Sequence, residues 1–413
     1  MIKYERFVLE NGLKVIFHQD ITTPMVVVNT LYDVGARDEH EDRTGFAHLF
    51  EHLMFGGSVN IPEFDTPLQL AGGENNAYTS NDVTNYYDVL PVKNIETALW
   101  LESDRMLSLA FTPKSLEVQR SVVIEEFKQR YLNQPYGDVW LELRPLIYKS
   151  HPYKWATIGK SIQHIEDATM EDVKAFFKKH YHPSNAILCI AGNITLDAVK
   201  ALTEKWFGDI PRQEKLERNL PQEAPQNEYR EKTIVRDVPS NAFYYAFRMP
   251  GKTDPKHHII DALSDILGRD KSSRLYVELK KEQKLVTSIS AYITGSFDDG
   301  LLLISGKLAD GVTFQKFDDA LWNVLDALKR NPVQEKELKR ILNKIRTAKA
   351  FGEQGLLNRA MNLAIYELLG DANQINLESD KYQGIQSQEL FDAANEILLK
   401  TNCSLLKVES NAK

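Results

Sequence analysis

The segment GFAHLFEHLMFGGS, residues 45–58, places two histidines and a glutamate inside an otherwise apolar run. On an α-helix, His48, Glu51 and His52 stand at positions i, i+3 and i+4 and project from one face within a single turn. Two imidazoles one turn apart can supply two ligands of a tetrahedral zinc site, and a carboxylate on the same face can reach a metal-bound water as general base. The H-x-x-E-H spacing therefore predicts metal-assisted hydrolysis, with both histidines as ligands and Glu51 as the base.

The neighbours of this triplet favour a functional site over polar residues at a helix edge, which is the alternative reading. Burying two histidines and a glutamate without a partner would cost on the order of several kcal/mol, so we expect a partner that satisfies them. The apolar side chains that would bury the helix are Phe46, Leu49, Phe50, Leu53 and Phe55.

A catalytic zinc site needs a third protein ligand and keeps its fourth position open. The strongest candidates are Glu125 and Glu126 in EVQRSVVIEEFKQR, residues 117–130, which reads as an amphipathic helix. A solvated helix face is the alternative role for this pair. The other histidines considered as ligands fit a structural or exposed role better than a ligand role; they are His151, His180, His182, His257 and His258.

The elements around these residues occur twice along the chain. The first half begins with an Asn-Gly hairpin, contains helices between residues 94 and 148, and ends in the strand AILCIAG. Residues 211–232 are polar, contain three prolines and read as an exposed linker. The second half repeats the order with the strand NAFYYAFRMPG, the helix HHIIDALSDILGR and the closing strand CSLLKV. This pattern predicts an internal duplication with a period of about 210 residues.

The duplication divides the chain into two expected domains, 1–215 with the metal ligands and 216–413 without them. Aligning the two helices on Gly56 and Gly268 places His48, Glu51 and His52 opposite three other residues: Ile260, Leu263 and Ser264. The second copy keeps the helix and lacks the polar triplet, so the fold itself does not require histidines there.

Composition excludes several classes of function. The 413 residues carry 50 basic and 58 acidic side chains, a formal net charge of -8, without a basic block that would track nucleic acid. No run approaches the roughly 20 apolar residues of a membrane span. Cys189 and Cys403 lie in apolar strand-like runs, so no disulfide framework is implied. The N-terminus reads as a strand hairpin without an export signal, which favours a cytoplasmic protein; removal of such a signal from a periplasmic protein would give the same reading.

Taken together, these segments resemble the inverted-motif zinc metallopeptidases that include pitrilysin, insulin-degrading enzyme and the mitochondrial processing peptidase. The resemblance covers essentially the whole chain. It rests, in family order, on HLFEH with MFGGS, on GGENNAYTSNDVTNYY, on RSVVIEEF and on HPYKWATIGK. It implies one zinc ion per chain and an α+β fold of two similar domains, each with an antiparallel-dominated sheet and helices on one face.

The resemblance also assigns residues. The family's third zinc ligand falls on Glu126, with Glu125 as its neighbour. The family's substrate-holding edge strand, which pairs with an extended peptide through main-chain hydrogen bonds, falls on Asn76, Ala77 and Tyr78.

Three positions depart from the family. Gln119 stands where members often carry a glutamate that supports the site, and a neutral amide adds no negative charge. Lys280 and Thr287 stand where active members have an arginine and a tyrosine that orient the substrate carbonyl. Lysine keeps the charge without the planar fork, and threonine cannot replace a phenol.

The leading hypothesis is a zinc endopeptidase that hydrolyses peptides or unstructured protein segments. The main alternative is a non-catalytic binding or assembly subunit, and a purely structural zinc site is a weaker third. Double-length family members enclose a chamber between four domains, so the resemblance implies a dimer. We expect a heterodimer in which a homologous partner supplies the arginine and tyrosine; a homodimer that uses Lys280 is the alternative.

Overall fold

The computed structural model describes residues 1–215 and 217–411. Its strands in chain order are β1 (Glu5–Val8), β2 (Lys14–Gln19), β3 (Met25–Tyr32), β4 (Glu74–Thr79), β5 (Thr84–Pro91), β6 (Ala186–Gly192), β7 (Arg230–Arg236), β8 (Ala242–Met249), β9 (Val286–Ile293), β10 (Gly300–Leu308) and β11 (Cys403–Ser410).

The α-helices alternate with these strands: α1 (Phe46–Leu53), α2 (Asp65–Leu70), α3 (Ile95–Leu107), α4 (Pro113–Phe127), α5 (Val139–Ile147), α6 (Ile162–Glu166), α7 (Met170–His180), α8 (Leu196–Phe207), α9 (Lys256–Gly268), α10 (Phe314–Arg330), α11 (Glu335–Gly352), α12 (Leu356–Leu368), α13 (Gln374–Gln383) and α14 (Ser387–Ile397). A 3₁₀ turn covers Ala36–Asp38, and π-helical segments cover Lys128–Leu132 and Tyr276–Glu282. None of the helices among the described residues combines the length and apolar character needed to cross a membrane.

The first sheet has the strand order β1-β2-β6-β3-β5-β4. Strands β2 and β6 run parallel, and the other neighbours run antiparallel. The predicted N-terminal hairpin is confirmed, since β1 and β2 pair across a turn in which Gly12 adopts a φ of 92°. Strand β4 lies at the outer edge of the sheet, where β5 is its neighbour on one side.

The second sheet repeats this topology. Its order is β7-β11-β8-β10-β9, with β7 and β11 parallel and the other neighbours antiparallel. These strands correspond in order and direction to β2-β6-β3-β5-β4. The agreement confirms the predicted α+β class with two antiparallel-dominated sheets and the predicted duplication of one fold pattern.

The chain forms two compact units that are discontinuous in sequence. Unit 1 contains Met1–Lys128, Trp155–Pro221 and Ala350–Leu377, and unit 2 contains Gln129–Lys154, Gln222–Lys349 and the chain from Glu378 onward. In unit 1 the helix α12 packs against β6 and β3, and in unit 2 the helix α5 packs against β11. Each half of the sequence thus contributes one helix to the unit that holds the other half's sheet.

The core of unit 2 lies on both faces of its sheet, because alternate residues of a strand point to opposite faces. Phe243 and Phe247 of β8 pack in a cluster with residues of α9, α10 and α14. Ala242 and Ala246 of the same strand pack in a second cluster with Leu143 of α5. The helices of the second half therefore cover one face, and a helix from the first half covers the other, whereas helices on one face only were expected from the sequence.

The predicted domains 1–215 and 216–413 correspond to the duplicated halves of the sequence, and this division stays a prediction. Leu216 lies outside the described residues. The described part of residues 211–229 forms neither helix nor strand, as expected for a linker, but the predicted linker ran to residue 232 and residues 230–232 belong to β7. This segment is nevertheless anchored. Lys215 Nζ lies 2.5 Å from Asp33 Oδ2, and Arg218 Nη2 donates to Asp33 Oδ1 at 2.9 Å.

Candidate metal centre

The helix α1 carries the H-x-x-E-H triplet. Its apolar side chains Phe46, Leu49 and Phe50 are buried, and the helix packs against α4 and β4. The helix is held in place by this apolar face. Its opposite face is left to the polar residues.

His48 and His52 lie side by side on that second face, as the i, i+4 spacing predicts. Their ring centroids are 4.9 Å apart and the ring planes are nearly perpendicular. Their side chains are 13% and 23% exposed, so both imidazoles are accessible without being free in solvent. At the aligned positions of α9, Ile260, Leu263 and Ser264 are fully buried.

The helix α4 brings Glu126 to the same point. Thr112 caps this helix by accepting the Ser115 amide, and Pro113 occupies its first turn. Glu126 Oε2 lies 3.7 Å from His48 Nε2 and 3.3 Å from His52 Nε2.

One ligand atom from each of these three residues lies within 4.8 Å of the other two. In the described part of the chain this is the group of histidine, cysteine and acidic residues that could hold a metal ion. Two imidazole nitrogens and one carboxylate oxygen are ligands that zinc prefers, and a set of three leaves one position open. The donor set therefore fits the expected catalytic zinc ion, with the roles of the residues still a prediction.

The two adjacent glutamates of α4 have different environments. Glu125 is 60% exposed, and its Oε1 accepts a hydrogen bond from Lys128 Nζ at 2.7 Å. Glu126 is 17% exposed and faces the histidines. The helix places only one of these neighbours beside the imidazoles, because successive residues point about 100° apart.

Glu51 lies between the histidines on α1 and is half-buried. Burial raises the pKa of its carboxyl above the usual range, and hydrogen bonding by Thr79 together with the nearby His52 acts in the opposite direction. A carboxylate with a raised pKa binds a proton more readily, which suits a group that must accept and release one.

The predicted substrate strand is the edge strand β4. Asn76 and Tyr78 are exposed along it and Ala77 is half-buried. The Ala77 amide donates to the Asn76 side-chain oxygen at 2.8 Å, a contact within β4 itself. Because α1 packs against β4, this edge and the triplet belong to one region of unit 1.

The structure also places the three positions that depart from the family. Gln119 of α4 lies beside the end of α1, where a Cβ added to Gly56 would be 3.8 Å from its Nε2. In unit 2, Lys280 lies on the π-helical segment with its ammonium 5.3 Å from the Tyr276 ring centroid. Thr287 is exposed on β9 and donates to the Lys307 carbonyl at 3.4 Å.

The other histidines lie in separate environments. His151 Nε2 is 3.4 Å from Asp298 Oδ2, and His258 Nε2 is 3.1 Å from Glu378 Oε1, all within unit 2. Burial lowers the pKa of His180 to about 3.

Sequence reasoning missed Glu39, a buried residue that accepts hydrogen bonds from the start of α1. A signal for it exists in the sequence. Gly45 precedes the helix where Ser, Thr, Asp or Asn would be usual, so an acceptor had to come from elsewhere.

Two family models match most of the chain. A model described as insulinase (peptidase family M16) matches residues 14–145, and a model described as peptidase M16 inactive domain matches residues 167–345. The first range contains the H-x-x-E-H triplet and Glu126.

Named relatives agree with these matches. The zinc protease PqqE of Helicobacter pylori is 29% identical over 347 residues, which cover 82% of this chain and 78% of the relative. The mitochondrial-processing peptidase subunit beta of Caenorhabditis elegans is 27% identical over 205 residues, covering 49% of this chain and 44% of that protein. Among solved structures, a protease from Helicobacter pylori superposes with a TM-score of 0.93 at 26% identity, covering 99% of this chain and all of the other.

Proposed function

Since the chain belongs to the insulinase family of peptidases (peptidase M16), we propose that it is a zinc-dependent endopeptidase acting on peptides or unstructured protein segments. The observation that carries this proposal is the convergence of His48, His52 and Glu126, with Glu51 on the same helix face. The zinc protease names of the relatives support a peptidase function.

In this proposal the two imidazoles and the Glu126 carboxylate hold the metal. A zinc ion bound there would act as a Lewis acid that polarises the scissile carbonyl and lowers the pKa of water. The apolar face of α1 and its packing on α4 fix the three donors before the metal arrives, which reduces the ordering needed on binding.

Glu51 acts as the general base and then as the general acid. Its carboxylate takes a proton from the attacking water and delivers that proton to the leaving nitrogen, so the peptide bond breaks without releasing a free amide anion. Thr79, at the end of β4, helps to hold the carboxylate.

The edge strand β4 binds the substrate. An extended peptide adds to the sheet beside Asn76, Ala77 and Tyr78 through main-chain hydrogen bonds, which require no particular sequence. The Ala77 amide donates to Asn76 Oδ1 within β4 itself, and this contact supports a binding mode in which the same amide donates to a peptide carbonyl. On binding, a peptide carbonyl replaces the Asn76 oxygen, which is then free to turn toward the peptide.

The alternative is a non-catalytic assembly subunit. A non-catalytic role gives no reason for four residues from two helices to lie together as a set of zinc ligands with a carboxylate beside it, so we propose catalysis. The proposal includes a homologous partner chain that supplies an arginine and a tyrosine, because Lys280 and Thr287 of this chain provide neither a guanidinium nor a phenol.

The deciding experiment measures zinc content and hydrolysis of an unstructured peptide. We expect about one zinc per chain, loss of zinc in His48→Ala and His52→Ala, and retained zinc without hydrolysis in Glu51→Gln. The matched control is Glu125→Gln, which changes an exposed glutamate on α4. Stoichiometric zinc in the double histidine variant would refute the assigned site.

A further inference from the structure

The first turn of α1 has no capping residue of its own. Its N-cap, Gly45, has no side chain, and the turn contains no acidic residue. The first amides of a helix have no partner within the helix and need an acceptor from elsewhere. Glu39 supplies both of its carboxylate oxygens: Oε2 accepts from the Gly45 amide at 2.9 Å, and Oε1 accepts from the Ala47 amide at 2.8 Å.

Glu39 is fixed on a turn that is bonded to the end of the substrate strand. The Ala36 amide donates to the Ser80 carbonyl at 3.1 Å, and the Arg37 amide donates to the Asn81 carbonyl at 2.9 Å. Ser80 and Asn81 directly follow β4. The turn that ends at Glu39 therefore bridges the end of β4 and the beginning of α1, with its backbone bonded to Ser80 and Asn81 and the Glu39 carboxylate bonded to α1.

Two further contacts hold this bridge in place. The Trp155 indole donates to the Ala36 carbonyl at 2.8 Å. Gly45 has a φ of 89°, and a Cβ there would lie 2.7 Å from the Ile158 carbonyl oxygen. Glu39 itself is 7% exposed. Burial raises the pKa of its carboxyl, and the Ala47 and Gly45 amides together with the Trp155 indole oppose that rise by donating to the ionised form.

We propose that Glu39 is a positioning residue that sets the first turn of α1, and with it the His48 imidazole, relative to β4. His48 directly follows Ala47, whose amide Glu39 binds, so freeing that amide lets the His48 backbone move. The effect on zinc binding and catalysis rests on the proposed function, whereas the restraint on the start of α1 is independent of that function.

The test compares Glu39→Gln with Glu41→Gln. Glutamine has nearly the same shape but turns an NH₂ group toward one of the two amides, so one hydrogen bond is lost and a donor faces a donor. Glu41 is a matched control from the same loop, 46% exposed and 3.3 Å from Lys160 Nζ. The readouts are zinc affinity by chelator competition, the visible spectrum of the Co²⁺-substituted protein, and hydrogen exchange of the Gly45 and Ala47 amides.

In Glu39→Gln we expect zinc affinity to fall about tenfold or more. The cobalt spectrum changes and the two amides exchange faster, while exchange in β3 keeps the wild-type rate. Glu41→Gln matches the wild type in all three readouts. Wild-type affinity, spectrum and exchange in Glu39→Gln would overturn the inference.

A second variant covers the case in which Glu39→Gln does not fold. Trp155→Phe keeps Glu39 but removes the indole that donates to the Ala36 carbonyl and also bonds the Glu39 carboxyl, and we expect faster exchange at Gly45 and Ala47 there as well. Unchanged exchange in that variant would also overturn the inference. A wild-type protein that binds no zinc would instead defeat the proposed function, and amide exchange would still decide the role of Glu39.

Discussion

Glu126 Oε2 lies 3.3 Å from His52 Nε2, although the two residues belong to different helices. The packing of α4 on α1 brings them together, while the adjacent Glu125 pairs with Lys128 at the surface. A metal at this point would thus crosslink two helices. Removing either ligand should affect both the metal and the packing that presents it.

The first prediction separates the two glutamates. Glu126→Gln should weaken zinc binding about 10- to 100-fold, because an amide oxygen carries no charge to offset the metal. Glu125→Gln should change zinc affinity less than twofold, since that side chain faces solvent. Chelator competition on both variants checks this. Loss of metal in the Glu125 variant would show that the family register is shifted by one residue.

The position of the triplet could be predicted because its information is local. The i, i+3, i+4 spacing puts three side chains on one face of any helix, whatever the helix packs against. The apolar residues around His48 and His52 indicated the buried face. Choosing Glu126 over Glu125 required the resemblance, because the chain alone does not state which side of α4 meets α1.

The rest could not be predicted because it depends on contacts distant in sequence. Glu39 caps α1 through a loop whose course is set by Ser80 and Asn81. The packing of α12 on β6 and of α5 on β11 crosses the boundary between the duplicated halves. An amphipathic pattern shows that a helix has a buried face without identifying the sheet that covers it.

The second prediction concerns Gly45 at the start of α1. Gly45→Ala should destabilise the fold by about 3 kcal/mol or more, since a positive φ strains alanine and its Cβ would meet the Ile158 carbonyl oxygen and the Ile165 side chain at 2.7 Å. Zinc affinity should fall with it. The measurements are urea unfolding and chelator competition.

Gly311 provides the control for Gly45. It also has a positive φ, 74°, with no atom within 4 Å of an added Cβ. Gly311→Ala should therefore cost only about 1 kcal/mol from backbone strain. Equal losses in the two variants would show that the close approach of Gly45 to Ile158 does not constrain α1.

The third prediction concerns pH and the attachment of α12 to the first sheet. Asp20 Oδ1 accepts from the Thr22 hydroxyl at 2.6 Å, and Asp20 Oδ2 accepts from Arg359 of α12 at 2.6 Å. The Thr22 hydrogen bonds, followed by Arg359, hold the pKa of Asp20 at about 2, below its usual 3.8. The ionised Asp20 therefore stabilises the folded state fully above about pH 4, and this stabilisation is lost as the pH falls toward 2.

Asp20→Asn should therefore lower the free energy of unfolding by roughly 1–2 kcal/mol at pH 7. The difference from the wild type should shrink steadily between pH 4 and pH 3. Asp42→Asn, at a side chain that is 85% exposed, serves as the control for the removal of one negative charge. A wild-type advantage that persists unchanged at pH 3 would mean that Asp20 does not titrate in the folded state as described.

The last prediction follows from Lys280, whose ammonium stacks on Tyr276, and from Thr287, whose hydroxyl bonds to a backbone carbonyl. Neither supplies a planar fork or a phenol for a substrate carbonyl, so hydrolysis at full rate should require a homologous second chain that does. We expect the chain alone to cleave an unstructured peptide slowly and the partner to raise the rate. In that complex Lys280→Ala should behave like Lys281→Ala, a change at a neighbour that is 68% exposed. Full activity from the chain as a homodimer, abolished by Lys280→Ala alone, would contradict the heterodimer, because Lys280 would then orient the carbonyl itself.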